Sequence, residues 1–172
     1  MGSSRRVSAA RAVVALGNPY RTDDGVGVAL LRLLKGDGLW VMGDEGNEKT
    51  SSRITHPASP VELIEGVHDG LRLAEAIRGY GRVLIVDAAP WLSVGEVRRF
   101  PLGALPARAG YPHGLGLRAA LEALAAAGEE VPEVEVLAIG IPGGPPFGEG
   151  LSPEVERALP VALEEVKRWL SG

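Results

Sequence analysis

Cysteine is absent from the 172 residues. Without thiols there is no disulfide, no thiolate metal site and no cysteine nucleophile. The absence suits a cytoplasmic protein, because disulfides are rare in that compartment. A basic excess is also missing: 18 Lys and Arg stand against 22 Asp and Glu, a net charge of −4. Neither nucleic acid nor an acidic membrane surface is therefore an expected partner. No apolar run approaches the roughly 20 residues of a membrane helix. The stretch from Ala12 to Leu16 is short and stops at Gly17-Asn18-Pro19. It reads as a strand and not as the core of a signal peptide. Residues 1–8, with Arg5 and Arg6, read as a loose leader. Glycine (24) and proline (13) are plentiful but follow no period, which excludes a collagen-like repeat.

What is present describes one globular domain over residues 1–172. Apolar residues make up 45% and charged residues 23%. A chain of this length buries roughly 70% of its unfolded surface, enough for a core without staples.

Val83-Leu-Ile-Val86 is the clearest buried strand, and Asp87 follows it. Val61–Ile64 and Val134–Ile139 are further apolar strands, and Gly95–Phe100 is a more polar one suited to an edge. Leu39–Met42 is a candidate strand. Residues 43–60 mix Gly, Ser, Thr, Pro and charge, and read as a long surface loop. Helical spacing runs from Asp24 to Lys35, through Leu71, Ala74 and Ile77, and from Leu115 to Ala127, where Gly128 closes the turn. The last helix is the best marked, with Ser152 at its N-cap and Pro153 in its first turn. Strands alternating with helices predict an α/β fold, a three-layer α/β/α sandwich around a twisted, mostly parallel, mixed sheet of about five strands. In such folds the site lies outside the carboxyl ends of the strands.

Three groups of polar residues fall at such ends. The first is Asp23-Asp24, inside Gly17-Asn-Pro-Tyr-Arg-Thr-Asp-Asp-Gly-Val-Gly27. Gly25 and Gly27 do not make a dinucleotide fingerprint, because Leu30 stands where the third glycine belongs. No Gly-Lys-Ser/Thr follows, which excludes a P-loop. One carboxylate can cap the following helix, leaving the other to bind a cation or to act in acid/base chemistry. The second group is Asp87. A carboxylate after four apolar residues is costly unless it is hydrogen-bonded, paired or metal-bound; it either braces a loop or serves a site. The third is His113, in Tyr111-Pro-His-Gly-Leu-Gly-Leu117, a turn at a helix start where an imidazole can meet a metal or remain a surface side chain. His56 falls in the long loop. His68 falls in Glu65-Gly-Val-His-Asp-Gly70, just past a strand. Two carboxylates and an imidazole form an oxygen/nitrogen ligand set of the kind borderline divalent ions accept.

These motifs, taken in order, resemble the hydrogenase maturation proteases. The resemblance rests on Gly17-Asn18 with Asp23-Asp24-Gly25-Val26-Gly27, on Val83–Asp87-Ala88, on Tyr111-Pro112-His113 and on Gly150-Leu151-Ser152-Pro153. It implies an endopeptidase that removes the C-terminal tail of a nickel-iron hydrogenase large-subunit precursor. It further implies nickel delivered by the substrate, with no organic cofactor, and Asp24, Asp87 and His113 as metal-binding and catalytic residues. A non-catalytic protein that binds metal or the precursor's tail is the alternative. In two places the chain departs from the family pattern: the Asp-Gly-Gly-Thr-like turn is Glu65-Gly-Val-His-Asp-Gly70 here, and the connection before that strand, from Gly36 to Pro60, is long. Leu16-Gly-Asn-Pro19 is also found in peptidyl-tRNA hydrolases. Those enzymes need a Thr-Arg-His-Asn run, and this chain has Thr22-Asp-Asp-Gly25 instead.

Overall fold

The apolar runs become the middle of one sheet. The computed structural model describes residues 10–36, 41–42, 54–56, 59–65, 70–105 and 112–172. Its strands are β1 (Arg11–Ala15), β2 (Val41–Met42), β3 (Ile54–His56), β4 (Ser59–Glu65), β5 (Arg82–Ala89), β6 (Val97–Pro101) and β7 (Glu133–Gly140). Its helices are α1 (Val26–Gly36), α2 (Gly70–Ala76), α3 (Pro112–Ala126) and α4 (Pro153–Ser171). Short 3-10 turns occupy Thr22–Gly25 and Leu102–Ala104.

The strand order is β2-β3-β4-β1-β5-β7-β6. Pairings among β4, β1, β5 and β7 are parallel, and those of the outer strands are antiparallel. The sheet is therefore mixed and parallel at its centre, but it has seven strands where about five are expected. Of the two more, β2 falls in the candidate strand at Leu39–Met42 and β3 in residues expected to form a loop. Ile54–His56 and the start of β4 at Ser59-Pro60 are strands. Ile54 and Thr55 are β-branched and extend β4 at its edge, with Ile54 opposite Leu63. The rest of 43–60 lies outside the described residues, as does the leader at 1–8.

Alternation along β5 explains the three layers. Leu84, Val86 and Ala88 enter one core, with Leu30, Leu31, Val155, Ala162 and Trp169 of α1 and α4. Val83 and Ile85 enter the other, with Leu73, Leu117 and Leu121 of α2 and α3. Central strands covered on both faces have to be apolar throughout, which is why Val83–Val86 does not alternate. Each fully buried Leu or Val contributes roughly 1.5–3 kcal/mol.

Glycine is required where α1 meets this sheet. A Cβ on Gly27 would stand 2.8 Å from the carbonyl oxygens of both Leu16 and Val86. The helix can press against the ends of β1 and β5 only without that atom. This closeness outweighs glycine's poor helix propensity, roughly 1 kcal/mol below alanine.

Candidate active site

The carboxyl edge of the sheet gathers the acidic groups singled out in the sequence. Beyond the last residue of β1, the Leu16 N–H still donates to the Val86 carbonyl at 2.9 Å. Gly17 then leaves the sheet with a φ of 104°. A side chain there would collide with the Asp24 carbonyl, 1.9 Å from an ideal Cβ. The tight reversal carries the chain into the 3-10 turn Thr22–Gly25, which holds both aspartates.

Neither aspartate caps α1. Arg21 holds the cap position of the 3-10 turn and makes no side-chain cap bond. Asp24 reaches back instead, its Oδ2 accepting the Asn18 N–H at 2.9 Å. The Asn18 Oδ1 in turn accepts the Tyr20 N–H at 2.9 Å. Asp24 is half-buried, and among the described residues only its Oδ2 is engaged. Asp23 is 4% exposed and turns the other way. Its Oδ1 accepts the Ser152 N–H at 2.6 Å, at the start of α4. One of the two is expected to cap the following helix, but the helix that Asp23 braces is α4. Ser152 is the N-cap of α4 by position, yet its hydroxyl makes no cap bond.

Asp87 is 3% exposed. It lies within β5, opposite Ala138 of β7, and the strand runs two residues beyond it. Its Oδ1 accepts the N–H of Ala88 at 2.8 Å. Asp23 and Asp87 are the buried polar residues among those described. By alternation the Asp87 side chain shares the face of Val83 and Ile85, the face that α3 covers.

His113 is the second residue of α3. Its side chain lies outside the described residues, as do His68 and the side chain of His56. The position of the helix is nonetheless informative. Gly116, one turn after His113, packs so closely on Gly70 that a Cβ on Gly70 would stand 2.5 Å from the Gly116 carbonyl carbon. Gly70 opens α2 five residues after Glu65, the carboxyl end of β4. The first turn of α3 therefore lies at the carboxyl edge, on the face to which Asp87 points. Among the described side chains no three acidic or histidine residues form a metal-holding group, and the expected set needs the imidazole of His113.

Sequence reasoning missed two further features of this edge. Glu65 pairs with Lys35 at 3.2 Å through Oε1, while its Oε2 is buried without a partner among the described residues. The loop from Gly140 to Gly150 is strapped to the Asp23-Asp24 turn. The Gly148 N–H donates to the Tyr20 carbonyl and the Thr22 N–H to the Gly148 carbonyl, both at 2.9 Å. The Thr22 hydroxyl donates to the Pro146 carbonyl at 3.3 Å. The strap carries the strained backbone of Thr22, whose φ is 44°. The sequence signal was present in the five glycines and three prolines of that loop.

The model of the hydrogenase maturation proteases of the HycI type matches residues 48–169. The chain belongs to the hydrogenase maturation protease family. It is accordingly a peptidase of hydrogenase maturation. The match begins after the Asp23-Asp24 turn, which similarity of structure has to cover. The maturating endopeptidase HybD of E. coli superposes with a TM-score of 0.70 at 25% identity, covering 94% of this chain and 92% of that one. The nickel-iron hydrogenase maturation protease HybD of Thermococcus kodakarensis gives 0.64 at 26% identity, covering 93% and 98%. HycI from the same organism shares the fold, with a TM-score of 0.59 at 23% identity and coverage of 95% and 94%. Comparison with curated protein sequences gives no match. No described helix of this family member is long and apolar enough to cross a membrane.

Proposed function

We propose that this maturation protease removes the C-terminal tail of a nickel-iron hydrogenase large-subunit precursor and recognises nickel carried by that precursor. Asp24, Asp87 and His113 would hold the ion, and the work would be done in the cytoplasm. The observation that carries the reading is the way the two carboxylates are held. Each accepts a backbone N–H at the carboxyl edge, Asp24 from Asn18 and Asp87 from Ala88. The bond to Asn18 fixes Asp24 without the cation of an ion pair among the described residues. Asp24 keeps an oxygen unengaged among the described residues, turned to an edge where a helix brings His113. Oxygen and imidazole nitrogen suit a borderline divalent ion.

The ion is part of the substrate, and its binding would position the peptide against the carboxylates. Peptide hydrolysis also needs a group that takes a proton from the attacking water. Asp24 and Asp87 are the carboxylates at hand for that role.

The test is purified protein mixed with nickel-loaded and nickel-free precursor, the tail being followed by mass spectrometry. Cleavage of the loaded form alone is expected. Equal cleavage of both forms would end the nickel reading. Stable binding of loaded precursor without cleavage would make the chain a non-cutting tail binder. Nickel titration of the free protein, beside Asp87→Asn and His113→Ala, checks the ligand set independently of turnover.

A further inference from the structure

Two aromatic residues at this edge face solvent. Phe147 is 82% exposed and Tyr20 is 65% exposed. They are the exposed aromatics among the described residues. Their backbones are neighbours, because each precedes by one residue the bridge between Arg21 and Gly148. The Arg21 guanidinium lies 5.1 Å from the centre of the Phe147 ring. That cation–π contact orients the ring without covering it. Four residues beyond Tyr20 stands Asp24, in the same strapped turn.

We infer that Tyr20 and Phe147 form an aromatic clamp that grips an apolar side chain of the precursor's peptide, next to the bond that is cut. This inference rests on the precursor substrate proposed above and adds a specificity element to it. Two aromatic side chains offer about 300–400 Å² of contact. A stable dimer interface needs about 800 Å² per partner, so the patch fits a peptide side chain better than a second copy of the chain. Its position points the same way, since it continues the edge that carries Asp24. The hydrogen bonds to Gly148 hold both halves of the clamp on one rigid strap, so little ordering is left to be done on binding. An extended peptide passing Asp24 meets the rings on its way.

The experiment uses the whole protein and nickel-loaded precursor, with Tyr20→Ala, Phe147→Ala and the double variant. Val161→Ala, an exposed apolar position on α4, is the control. Each clamp substitution is expected to raise KM about fivefold, the size of a modest hot spot. The double variant should raise it further, with kcat and the melting temperature close to wild type. Direct binding of the precursor should weaken in parallel, and Phe147→Tyr should restore it. Unchanged KM and binding in the double variant, with cleavage intact, would overturn the clamp and leave the proposed function standing. Binding that depends on the clamp, without any cleavage by wild type, would support the clamp and overturn the protease assignment of the site. Wild type that neither binds nor cuts the precursor would overturn both.

Discussion

The amino end of the sheet and the Asp23-Asp24 turn at its carboxyl end handle charge in opposite ways. At the amino end acids meet bases. Arg82 and Arg99 each lie 3.5 Å from the Glu135 carboxylate. Trp169, 1% exposed, donates its indole N–H to Glu135 at 2.9 Å, and Arg82 lies over its ring. At the carboxyl end Lys35 pairs with Glu65, but the acids of the Asp23-Asp24 turn meet amides. Among the described residues no lysine or arginine pairs with Asp23 or Asp24, whose partners are the N–H groups of Ser152 and Asn18. An ion pair cancels charge and is a device of packing. An amide fixes a carboxylate and leaves its negative charge available to a cation arriving from outside. The proposed metal-bearing peptide would call for the second arrangement where it enters, and the first can serve elsewhere.

The sharpest way to break this contrast is to neutralise the carboxyl edge. Asp24→Asn and Asp87→Asn keep an oxygen that can accept the same backbone N–H. Folding should therefore survive, while processing of the precursor falls on the order of 10²–10⁴-fold. His113→Ala should do the same. Precursor processing measured beside a thermal melt checks all three, and full processing by any of them would remove that residue from the site. Next in size is Gly27→Ala. Its methyl group would press on the Leu16 and Val86 carbonyls, and crowding of this kind costs about 1–3 kcal/mol. Urea denaturation should reveal it, and activity should fall with it because the site turn rests on the same contact.

Glu135→Ala probes the other end. It leaves a buried indole N–H without its acceptor, while Arg82 and Arg99 keep Glu133 and Glu165, a loss of about 1–3 kcal/mol. Processing at a permissive temperature should be unchanged, and a selective loss of turnover would dissolve the contrast. The smallest effect is expected from Asp23→Asn. The amide oxygen can still accept the Ser152 N–H, so stability should shift by about 0.5 kcal/mol or less. Asp23→Ala, which orphans that N–H, should cost about 1–3 kcal/mol. Equal losses in the two variants would mean that the charge of Asp23 matters as well as its geometry.

Local signals made much of this architecture legible in the sequence. Val83–Val86 could only be a strand covered on both faces. Gly128 ends α3 at a φ of 82° as a glycine after a helix should. Pro153 opens α4. Contacts distant in the chain were not legible. The role of Asp23 depends on Ser152, 129 residues away, so the spacing around Asp23 pointed to the wrong helix. β3 was hidden because its edge pairing comes from β4, and Thr, Ser and Pro around it carry the composition of a loop. The glycines were readable as anomalies, but their reason lies in the atoms they face. Gly27 faces two strand ends and Gly70 faces Gly116.

The strap between Thr22 and Gly148 also has a temporal meaning. The turn with Asp24 is translated early, and the backbone that fixes it arrives more than 120 residues later. Chains fold during synthesis from the N-terminal side, yet this turn has to wait for residues 146–152 to emerge from the ribosome. A nascent chain is therefore without a finished carboxyl edge until residue 152 has emerged.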